Sequence, residues 1–261
     1  MSVCCGDNTT FFIDAVHSVL NQTRPPSEII VSVDGPIPLS LEAALGEIEK
    51  HPLIRVVRIA ENQGPGYARH AAILMTRHDV LAVMDSDDIS LPTRFERQIN
   101  YLLSNDLDVV GGFIEEFERV PGDLNKIRKV PLHHEHIVRF GKWRQPMNHV
   151  TIMFRRKAYM SVGGYHAYRS IEDYDLIYRL LVDGARFANI PQILVYARTG
   201  TSIMSRRSGL TYLRRELALI YRMSRDGFLS NSQWLFSSLF RIAFRLSPAF
   251  LLALVYRFLR K

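Results

Sequence analysis

The chain reads Val80-Leu81-Ala82-Val83-Met84-Asp85-Ser86-Asp87-Asp88, five apolar residues followed directly by an acidic block. A short apolar run of this kind, bounded by polar residues, is typical of a strand buried in a parallel sheet. In open α/β sheets, ligands bind just beyond the carboxyl ends of the strands. This stretch therefore predicts both an α/β fold and a binding site at one edge of its sheet.

Short apolar runs alternate with helical patterns through the first half of the chain, as expected of a mostly parallel, Rossmann-like sheet flanked by helices. The strands of this half are predicted at 2–5, 28–33, 54–59, 80–84 and 108–113, and the helices at 11–21, 39–50, 66–77 and 91–103. Less regular strands at 150–154 and 193–198 and helices at 156–162 and 174–182 follow. From residue 210 onward only helices are predicted, at 210–225, 233–246 and 250–260. We predict an α/β catalytic domain over residues 1–205 and a helical extension over 206–261.

Charge is distributed unevenly along the chain. The sequence has 33 Lys and Arg against 26 Asp and Glu, a net charge of +7. From Leu194 onward there are 12 basic and 2 acidic residues, which leaves residues 1–193 at −3. A uniformly basic surface is absent, so we expect no nucleic-acid partner. A hydrophobic content of 47% with 23% charged residues also excludes wholesale disorder.

The composition also bears on the cellular compartment. The only cysteines, Cys4 and Cys5, are adjacent and cannot staple a fold, which favours a reducing cytoplasm. The start lacks the basic segment of a signal peptide, although an upstream start stays open because one residue precedes the first predicted strand. No uncharged apolar run reaches the roughly 18–20 residues that a spanning helix needs. We expect a cytoplasmic protein that is soluble or peripheral to a membrane.

The acidic block is a candidate divalent-cation site. Residues i and i+2 of an extended segment project to one side, so the carboxylates of Asp85 and Asp87 are predicted to converge. Mg²⁺ and Mn²⁺ prefer such oxygen ligands and commonly bridge substrate phosphates. Three clustered acids would repel one another without a cation. The alternative is that they mark a turn and cap the helix predicted from residue 91.

Three further motifs carry possible chemistry, and each has a structural alternative. Glu172-Asp173 opens a predicted helix, where acids often serve only as caps. Asp34-Gly35 ends a predicted strand and is also a common turn sequence. The Gly-rich loop at residues 62–66 enters a helix that carries Arg69, a possible phosphate ligand. This loop fits neither the dinucleotide-binding nor the Walker pattern.

In their order and spacing, these motifs resemble those of the family 2 glycosyltransferases, inverting enzymes of the GT-A fold. The resemblance covers nearly the whole chain and rests on Ser18-Val19-Leu20-Asn21-Gln22-Thr23, Asp34-Gly35, Asn62-Gln63-Gly64, Asp85-Ser86-Asp87-Asp88 with Pro92, Arg94 and Gln98, Gly163-Gly164-Tyr165, and Glu172-Asp173-Tyr174-Asp175. Within the family, the chain looks most like bacterial exopolysaccharide and O-antigen transferases of the amylovoran-biosynthesis type. Those carry a similar Asn148-His149 pair and a similar loop at residues 205–209.

The resemblance implies a role for each matching residue. Asp34 would hold the uracil or ribose of a nucleotide-sugar donor, and Arg69 would lie on the nucleotide side. Asp85 would lie near the ribose and the metal, and Asp87 would coordinate the Mn²⁺ or Mg²⁺ that bridges the diphosphate. Asp173 would be the catalytic base. An inverting transfer needs such a base because the acceptor hydroxyl loses a proton as it attacks.

The acceptor side and the diphosphate contacts involve further candidates. Glu172, Asn148 and His149 are predicted to contact the acceptor. Arg206 and Arg207, on a loop that would close over the donor, are predicted to stabilise charge on the diphosphate. Their alternative is a solvated basic turn. One departure is that the first strand ends in Cys5-Gly6-Asp7, where the family normally has a Tyr-Asn-like element that contacts the base.

The C-terminal helices combine aromatic and apolar residues with arginines. Arg241 and Arg245 are four residues apart and so are predicted to share a narrow polar face. Such helices fit a pair that lies on anionic lipid, with aromatics inserted and arginines at the headgroups. The alternative is a helical cap packed on the catalytic core. We expect attachment to the inner face of the cytoplasmic membrane.

These observations predict a glycosyltransferase of the hexosyl type (EC 2.4). It would move a sugar from a nucleotide-diphosphate sugar, such as a UDP-sugar, to a hydroxyl of a lipid-linked bacterial surface polysaccharide. The alternative is a non-catalytic, membrane-associated subunit that binds nucleotide sugars in a polysaccharide assembly complex. A nucleotidyltransferase would need a Gly-rich loop near the first strand, where only Gly6 occurs.

Overall fold

The computed structural model describes residues 1–168, 170–199 and 209–246. The chain divides into two compact units, Met1–Thr199 and Gly200–Lys261. The predicted boundary between residues 205 and 206 lies outside the described residues. So does the helix predicted at 250–260.

The first sheet of the N-terminal unit is parallel, with strand order β1-β2-β3. Its strands are β1 (Ser2–Cys4), β2 (Ile29–Asp34) and β3 (Ile54–Ile59), and its connecting helices are α1 (Thr9–Leu20), α2 (Leu39–Ile48) and α3 (Pro65–Leu74). Every residue of the central strand β2 is buried, as expected of a parallel strand covered on both faces. Because the strands are parallel, β1 and β2 end at the same edge of the sheet, where Cys4 pairs with Asp34.

The second sheet is mixed, with order β4-β8-β6-β9-β5 and with β7 paired to β6. Its strands are β4 (Val80–Ala82), β5 (Ile89–Ser90), β6 (Val109–Phe117), β7 (Lys126–Arg128), β8 (Met153–Arg155) and β9 (Phe187–Arg198), and the helices are α4 (Arg94–Ser104), α5 (His134–Gly141), α6 (Arg156–Ser161) and α7 (Glu172–Val182). The β6–β9 pair is parallel, and the other pairs are antiparallel. The α/β class is thus confirmed, with parallel pairing concentrated in the first sheet.

Sequence reasoning missed parts of this second sheet. The short strands β5 and β7 were not predicted, and β9 begins at Phe187 rather than near residue 193. The segment at 150–152 forms a 3₁₀ turn, His149–Thr151, instead of a strand. These strands are stabilised by partners distant in the sequence, such as Ile89 opposite Tyr196, so a local pattern does not reveal them.

Apolar residues of both sheets and three helices form one core. Phe12 on α1, Leu41 on α2 and Leu102 on α4 are fully buried and share a cluster with Val31 of β2 and Val110 of β6. Each such side chain contributes about 1.5–3 kcal/mol by leaving water. The helices are therefore held firmly against the strands whose ends carry the acidic motifs.

Three polar residues of the family-like motifs are also buried, and they tie α4 to its surroundings. Arg94 donates to the Val83 carbonyl at 2.8 Å and to the Gln98 Oε1 at 2.9 Å. Gln22 accepts from the Phe95 N–H at 3.0 Å. Burial lowers the pKa of Arg94 to about 9. Because unsatisfied buried polar groups are costly, these contacts strongly restrain the segment between β4 and α4 that carries the acidic block.

The C-terminal unit contains helices α8 (Leu210–Arg225) and α9 (Asn231–Leu246). Arg245 donates to Glu216 at 3.0 Å, and its guanidinium lies 4.7 Å from the centre of the Tyr212 ring. Arg245 of α9 thus faces α8, where it contacts Glu216 and Tyr212. Its side chain is only 14% exposed, and a charge in that position needs a counter-charge.

The outer face of α9 is apolar. Leu235, Phe236, Leu239 and Phe240 are each more than half exposed and recur at helical spacing. Within residues 1–168, 170–199 and 209–246, no helix has both the length and the apolar character required to cross a membrane. These four side chains form an exposed apolar stripe along α9 in the described part of this unit.

Candidate active site

Asp34 ends β2 and anchors the loop that enters α3. It is only 3% exposed, and its two carboxylate oxygens accept from the N–H groups of Gln63 and Gly64, each at 2.8 Å. Gly35 has a φ of +81°, and a Cβ there would lie 2.7 Å from the backbone nitrogen of Asn62. Only glycine fits this close approach without strain. The donor contact of Asp34 stays a prediction, and its observed partners show that it also holds the Gly-rich loop.

The acids of the block after β4 have different partners. Asp85 Oδ1 accepts from Arg69 Nη2 at 2.7 Å. Asp88 is 5% exposed and accepts from the Arg198 N–H at 2.7 Å, which ties the block to β9. Burial, together with the charges of Asp85 and Asp87, raises the pKa of Asp88 well above its ordinary value. Asp88 is therefore a structural member of the block, and Asp85 and Asp87 are its candidates for ligand binding.

Arg69 joins the acidic block to the start of α7. Its Nη1 lies 3.0 Å from Glu172 Oε1, while Nη2 pairs with Asp85, and its side chain is 14% exposed. Burial alone would lower the pKa of Arg69, but the two carboxylates outweigh burial and raise it. Burial would likewise raise the pKa of Asp85, but the charge of Arg69 outweighs it and lowers that pKa. Asp85 is therefore ionised, the state that a metal ligand requires.

Asp173 follows Glu172 at the first turn of α7. The preceding residue, Ile171, has a φ of +65°, a left-handed conformation that is costly for a β-branched side chain. Burial and the neighbouring Asp173 raise the pKa of Glu172, against the opposing charge of Arg69. Gly66 of α3 packs against this corner, since a Cβ there would lie 3.1 Å from Glu172 Cβ. The corner that carries the predicted base is thus fixed by close packing and by charge.

His149 lies within electrostatic reach of both halves of the site. Burial and the charge of Arg69 lower its pKa to about 4, against the opposing charges of Asp173 and Asp85. Its Nε2 is 2.7 Å from the hydroxyl oxygen of Tyr165. The imidazole is therefore neutral at neutral pH. An acceptor contact by His149 stays a prediction.

Asn148 has a different environment from its neighbour. It is 2% exposed, and its side-chain amide donates to the carbonyls of Gly112 at 2.9 Å and Arg128 at 3.1 Å. These bonds attach the turn before β8 to β6 and β7. The observed contacts show that Asn148 orients the turn on which His149 stands, and its acceptor contact stays a prediction.

Arg198, a residue near the site, was missed at the level of sequence. The guanidinium of Arg198 stacks between the rings of Phe11 at 3.6 Å and Phe117 at 4.5 Å, and its Nε donates to the Asp87 carbonyl at 3.1 Å. The position of Arg198 at a strand end was the available signal, but its aromatic partners come from distant segments. Arg206 and Arg207 lie outside the described residues.

The metal prediction can be weighed against this geometry. Residues 86 and 87 form a turn, so the segment that joins Asp85 to Asp87 is not extended as predicted. In the part of the chain that the structure describes, no cluster of three or more His, Cys, Asp or Glu side chains is arranged to hold a metal ion. Mg²⁺ sites of nucleotide enzymes commonly use one or two carboxylates, with phosphate and water oxygens as further ligands. A pair formed by Asp85 and Asp87 fits that chemistry.

Known proteins share both the sequence pattern and the fold. The family described as "Glycosyl transferase family 2" matches residues 9–164. The chain is 30% identical to "UDP-Gal:alpha-D-GlcNAc-diphosphoundecaprenol beta-1,3-galactosyltransferase" of Escherichia coli, over 98% of this chain and 94% of that protein. It is 31% identical to "Amylovoran biosynthesis glycosyltransferase AmsE" of Erwinia amylovora, over 94% of this chain and 92% of that protein.

A solved structure supports the fold alone. The structure of S. aureus TarS 1–349 in complex with UDP-GlcNAc superposes with a TM-score of 0.70 at 15% identity, over 94% of this chain and 72% of that one. The predicted resemblance to exopolysaccharide and O-antigen transferases is thereby confirmed at the level of sequence, and the GT-A fold at the level of structure. The family match and the near-full-length likenesses show that the chain belongs to glycosyltransferase family 2.

Proposed function

We propose that this protein is an inverting hexosyltransferase that moves a sugar from a UDP-sugar to a hydroxyl of a lipid-linked glycan during bacterial surface polysaccharide assembly. The observation that carries the proposal is the chain of ion pairs Asp85–Arg69–Glu172. It links an acid at the end of the apolar segment after β4 to the residue immediately before Asp173. An inverting transfer needs a base for the acceptor hydroxyl and groups that hold the departing diphosphate in one site, and this arrangement supports placing the candidates for both together.

In the proposed reaction, the acceptor hydroxyl oxygen forms a bond to the anomeric carbon of the donor sugar. The bond from that carbon to the diphosphate oxygen breaks, and its electron pair leaves with the nucleoside diphosphate. Asp173 takes the hydroxyl proton as the new bond forms. Neutral His149 adds no positive charge that would compete for the carboxylate of Asp173. His149 and Glu172 line the acceptor side in this proposal.

The donor side of the proposal involves Asp34, Asp85 and Asp87. Asp87 and Asp85 would hold a divalent cation, Mn²⁺ or Mg²⁺, which neutralises charge on the departing diphosphate when bound. Asp34 would contact the uracil or ribose while it holds the Gly-rich loop. Arg206 and Arg207 are proposed to add positive charge at the diphosphate. The printed name of the Escherichia coli relative, a UDP-Gal enzyme with a diphosphoundecaprenol acceptor, supports a UDP-sugar donor and a lipid-linked acceptor.

We also propose that the protein is cytoplasmic and attaches to the inner face of the cell membrane through α9. Leu239 and Phe240 belong to the exposed apolar stripe on this helix. Apolar side chains of this kind insert into the headgroup boundary of a bilayer, and basic residues add attraction to anionic lipid. In sedimentation with phosphatidylglycerol vesicles, the parent should pellet and a Leu239→Glu, Phe240→Glu variant should stay in solution. Equal sedimentation of both would exclude α9 as the lipid-binding element.

The function can be tested by a donor screen followed by a turnover assay. Thermal shifts with a panel of nucleotide sugars, each with Mn²⁺ and with EDTA, should show stabilisation by one UDP-sugar that depends on the metal. The same donor should then release UDP in the presence of a GlcNAc-diphospholipid acceptor. The Asp87→Asn variant is expected to lose the metal-dependent shift. Donor binding without turnover on any acceptor would favour the non-catalytic subunit, and no shift with any donor would reject the proposed function.

A further inference from the structure

The side chain of Arg69 is already occupied by protein carboxylates. Its two terminal nitrogens donate to Asp85 and Glu172, which are 16 and 103 residues away in the chain. Its Nε is buried and has no hydrogen-bond partner within the described residues. One positive charge facing two carboxylates is more than compensated, so it offers a diphosphate little net attraction. This arrangement suits a residue that binds protein groups rather than a phosphate ligand.

Glu172 is held from several sides. Arg69 pairs with it, and its side chain is 10% exposed. Gly66 allows α3 to approach, because a Cβ at that position would lie 2.6 Å from the His166 carbonyl oxygen as well as near Glu172. The left-handed Ile171 just before it stores strain of about 1–3 kcal/mol, which persists only when the surroundings impose it. Together these contacts determine where α7 begins, and therefore where Asp173 stands.

We propose that Arg69 is a positioning residue that fixes Asp173 through Glu172. It thereby holds Asp173 in a constant position relative to Asp85. Arg69 thereby connects the donor half of the site to the base without itself binding the diphosphate. This inference rests on the proposed function, in which Asp173 is the base. Displacement of a reacting group by about 1 Å can cost about 100-fold in rate, so losing this restraint should act on the chemical step.

The test compares Arg69→Met, Glu172→Leu and the double variant with the parent. UDP with Mn²⁺ is the binding probe, measured by calorimetry, and UDP-galactose with a GlcNAc-diphospholipid is the turnover probe. Each single variant should lower kcat by about 100-fold, and Glu172→Leu, which leaves the Arg69–Asp85 pair in place, should change the Kd for UDP–Mn²⁺ by less than about threefold. The double variant should be no worse than the poorer single variant by more than about threefold, because both changes remove the same restraint.

Two controls separate positioning from simple loss of stability or charge. Arg58 and Glu42 form an exposed ion pair at 2.8 Å outside the site, so Arg58→Met with Glu42→Leu removes the same charges and should leave kcat unchanged. Arg69→Lys keeps the charge but cannot span two carboxylates as a planar fork does. The kcat of Arg69→Lys should be about tenfold higher than that of Arg69→Met. If Arg69→Met does not fold, Arg69→Lys is compared with the parent in its place.

Several results would overturn the inference. A rise of about tenfold or more in the UDP–Mn²⁺ Kd of Arg69→Met, with kcat nearly unchanged, would identify Arg69 as a donor ligand. Additive losses in the double variant would show that Arg69 does not act through Glu172. Failure of the parent enzyme to bind UDP or to turn over would reject the proposed function and this inference together. The parent and variant measurements are separate, so the two failures are distinguishable.

Discussion

Nε2 of His149 lies 2.7 Å from the phenolic oxygen of Tyr165, and the two rings meet edge to face with centroids 5.7 Å apart. Tyr165 is buried and His149 is half-buried, and burial raises the pKa of Tyr165 well above its ordinary value. The pair is therefore uncharged at neutral pH. Positive charge in this part of the site belongs to Arg69, so protonation of His149 would add a second positive charge close to Arg69, Asp85 and Asp173.

The depressed pKa of His149 makes stability depend on pH. Between pH 6.5 and about 4 the unfolded chain binds a proton at this residue that the folded chain does not, so this contribution to stability falls as the pH drops through that window. The full shift corresponds to about 3 kcal/mol. Urea unfolding at a series of pH values measures this. Between pH 6.5 and about 4, the free energy of unfolding of His149→Gln should fall less steeply than that of the parent. His136→Gln, an exposed control, should follow the parent, and a parental slope in His149→Gln would contradict the prediction.

Replacing Asp173 with Asn should remove the proposed base and leave the fold intact. General-base catalysis contributes about 10²–10⁴-fold, so turnover of UDP-galactose onto a GlcNAc-diphospholipid should fall by that factor. The Kd for UDP–Mn²⁺ should stay close to the parental value because Asp173 is not on the donor side. Asp183→Asn, the same change just beyond the other end of α7, serves as the control. Normal turnover in Asp173→Asn would exclude its role as the base.

A methyl group at Gly66 should disrupt the contact between α3 and the start of α7. The added Cβ would lie 2.6 Å from the His166 carbonyl oxygen, so Gly66→Ala should lower the free energy of unfolding by about 1–3 kcal/mol and reduce kcat. A Cβ at Gly46 of α2 would meet no packing neighbour within 4 Å among the described residues, so Gly46→Ala should instead stabilise the helix by about 0.5–1 kcal/mol. Thermal melts of both variants would check this. Equal changes in melting temperature for the two variants would show that the site of Gly66 has room for a methyl group.

Asp34→Asn should weaken the Gly-rich loop as well as any contact to the donor. An amide keeps one acceptor oxygen where the carboxylate has two, so one of the N–H groups of Gln63 and Gly64 would lose its partner. The loss should be about 1–3 kcal/mol in urea unfolding, together with weaker UDP binding. An exposed control, Asp14→Asn on α1, should change neither the free energy of unfolding nor UDP binding. A variant of parental stability would show that the loop does not depend on Asp34.

Local sequence predicted the first sheet well because its strands are contiguous apolar runs and its helices have clear starts. The strand at residues 54–59 has the predicted bounds, and so does the helix at 210–225. The order and spacing of the motifs, with Gln22, Asp34, Arg94 and Gln98 among their residues, indicated the family. The structure adds that Gln22, Arg94 and Gln98 are buried hydrogen-bonding residues, a role that the sequence does not reveal.

The roles within the acidic motifs were less accessible to sequence. Asp85, Asp87 and Asp88 have identical side chains, so the sequence does not distinguish their roles. In the structure, Asp88 accepts a hydrogen bond from the backbone of β9, and Asp85 pairs with Arg69. Arg245 was expected to share a polar face with Arg241, and the structure adds that it pairs with Glu216. Each difference depends on a partner that is distant in sequence, and periodicity or spacing carries no information about such partners.

By itself, the sequence determined the fold class, the order of the first strands and helices, and which acids stand at strand ends, because these follow from local apolar periodicity and from motif order. Only the tertiary structure decided which of those acids meet. Asp85, Arg69 and Glu172 lie far apart along the chain and come together because a helix end and a strand end share one edge of the fold. Burial at that edge then makes their pairing obligatory, since an isolated charge there would lack both water and a partner.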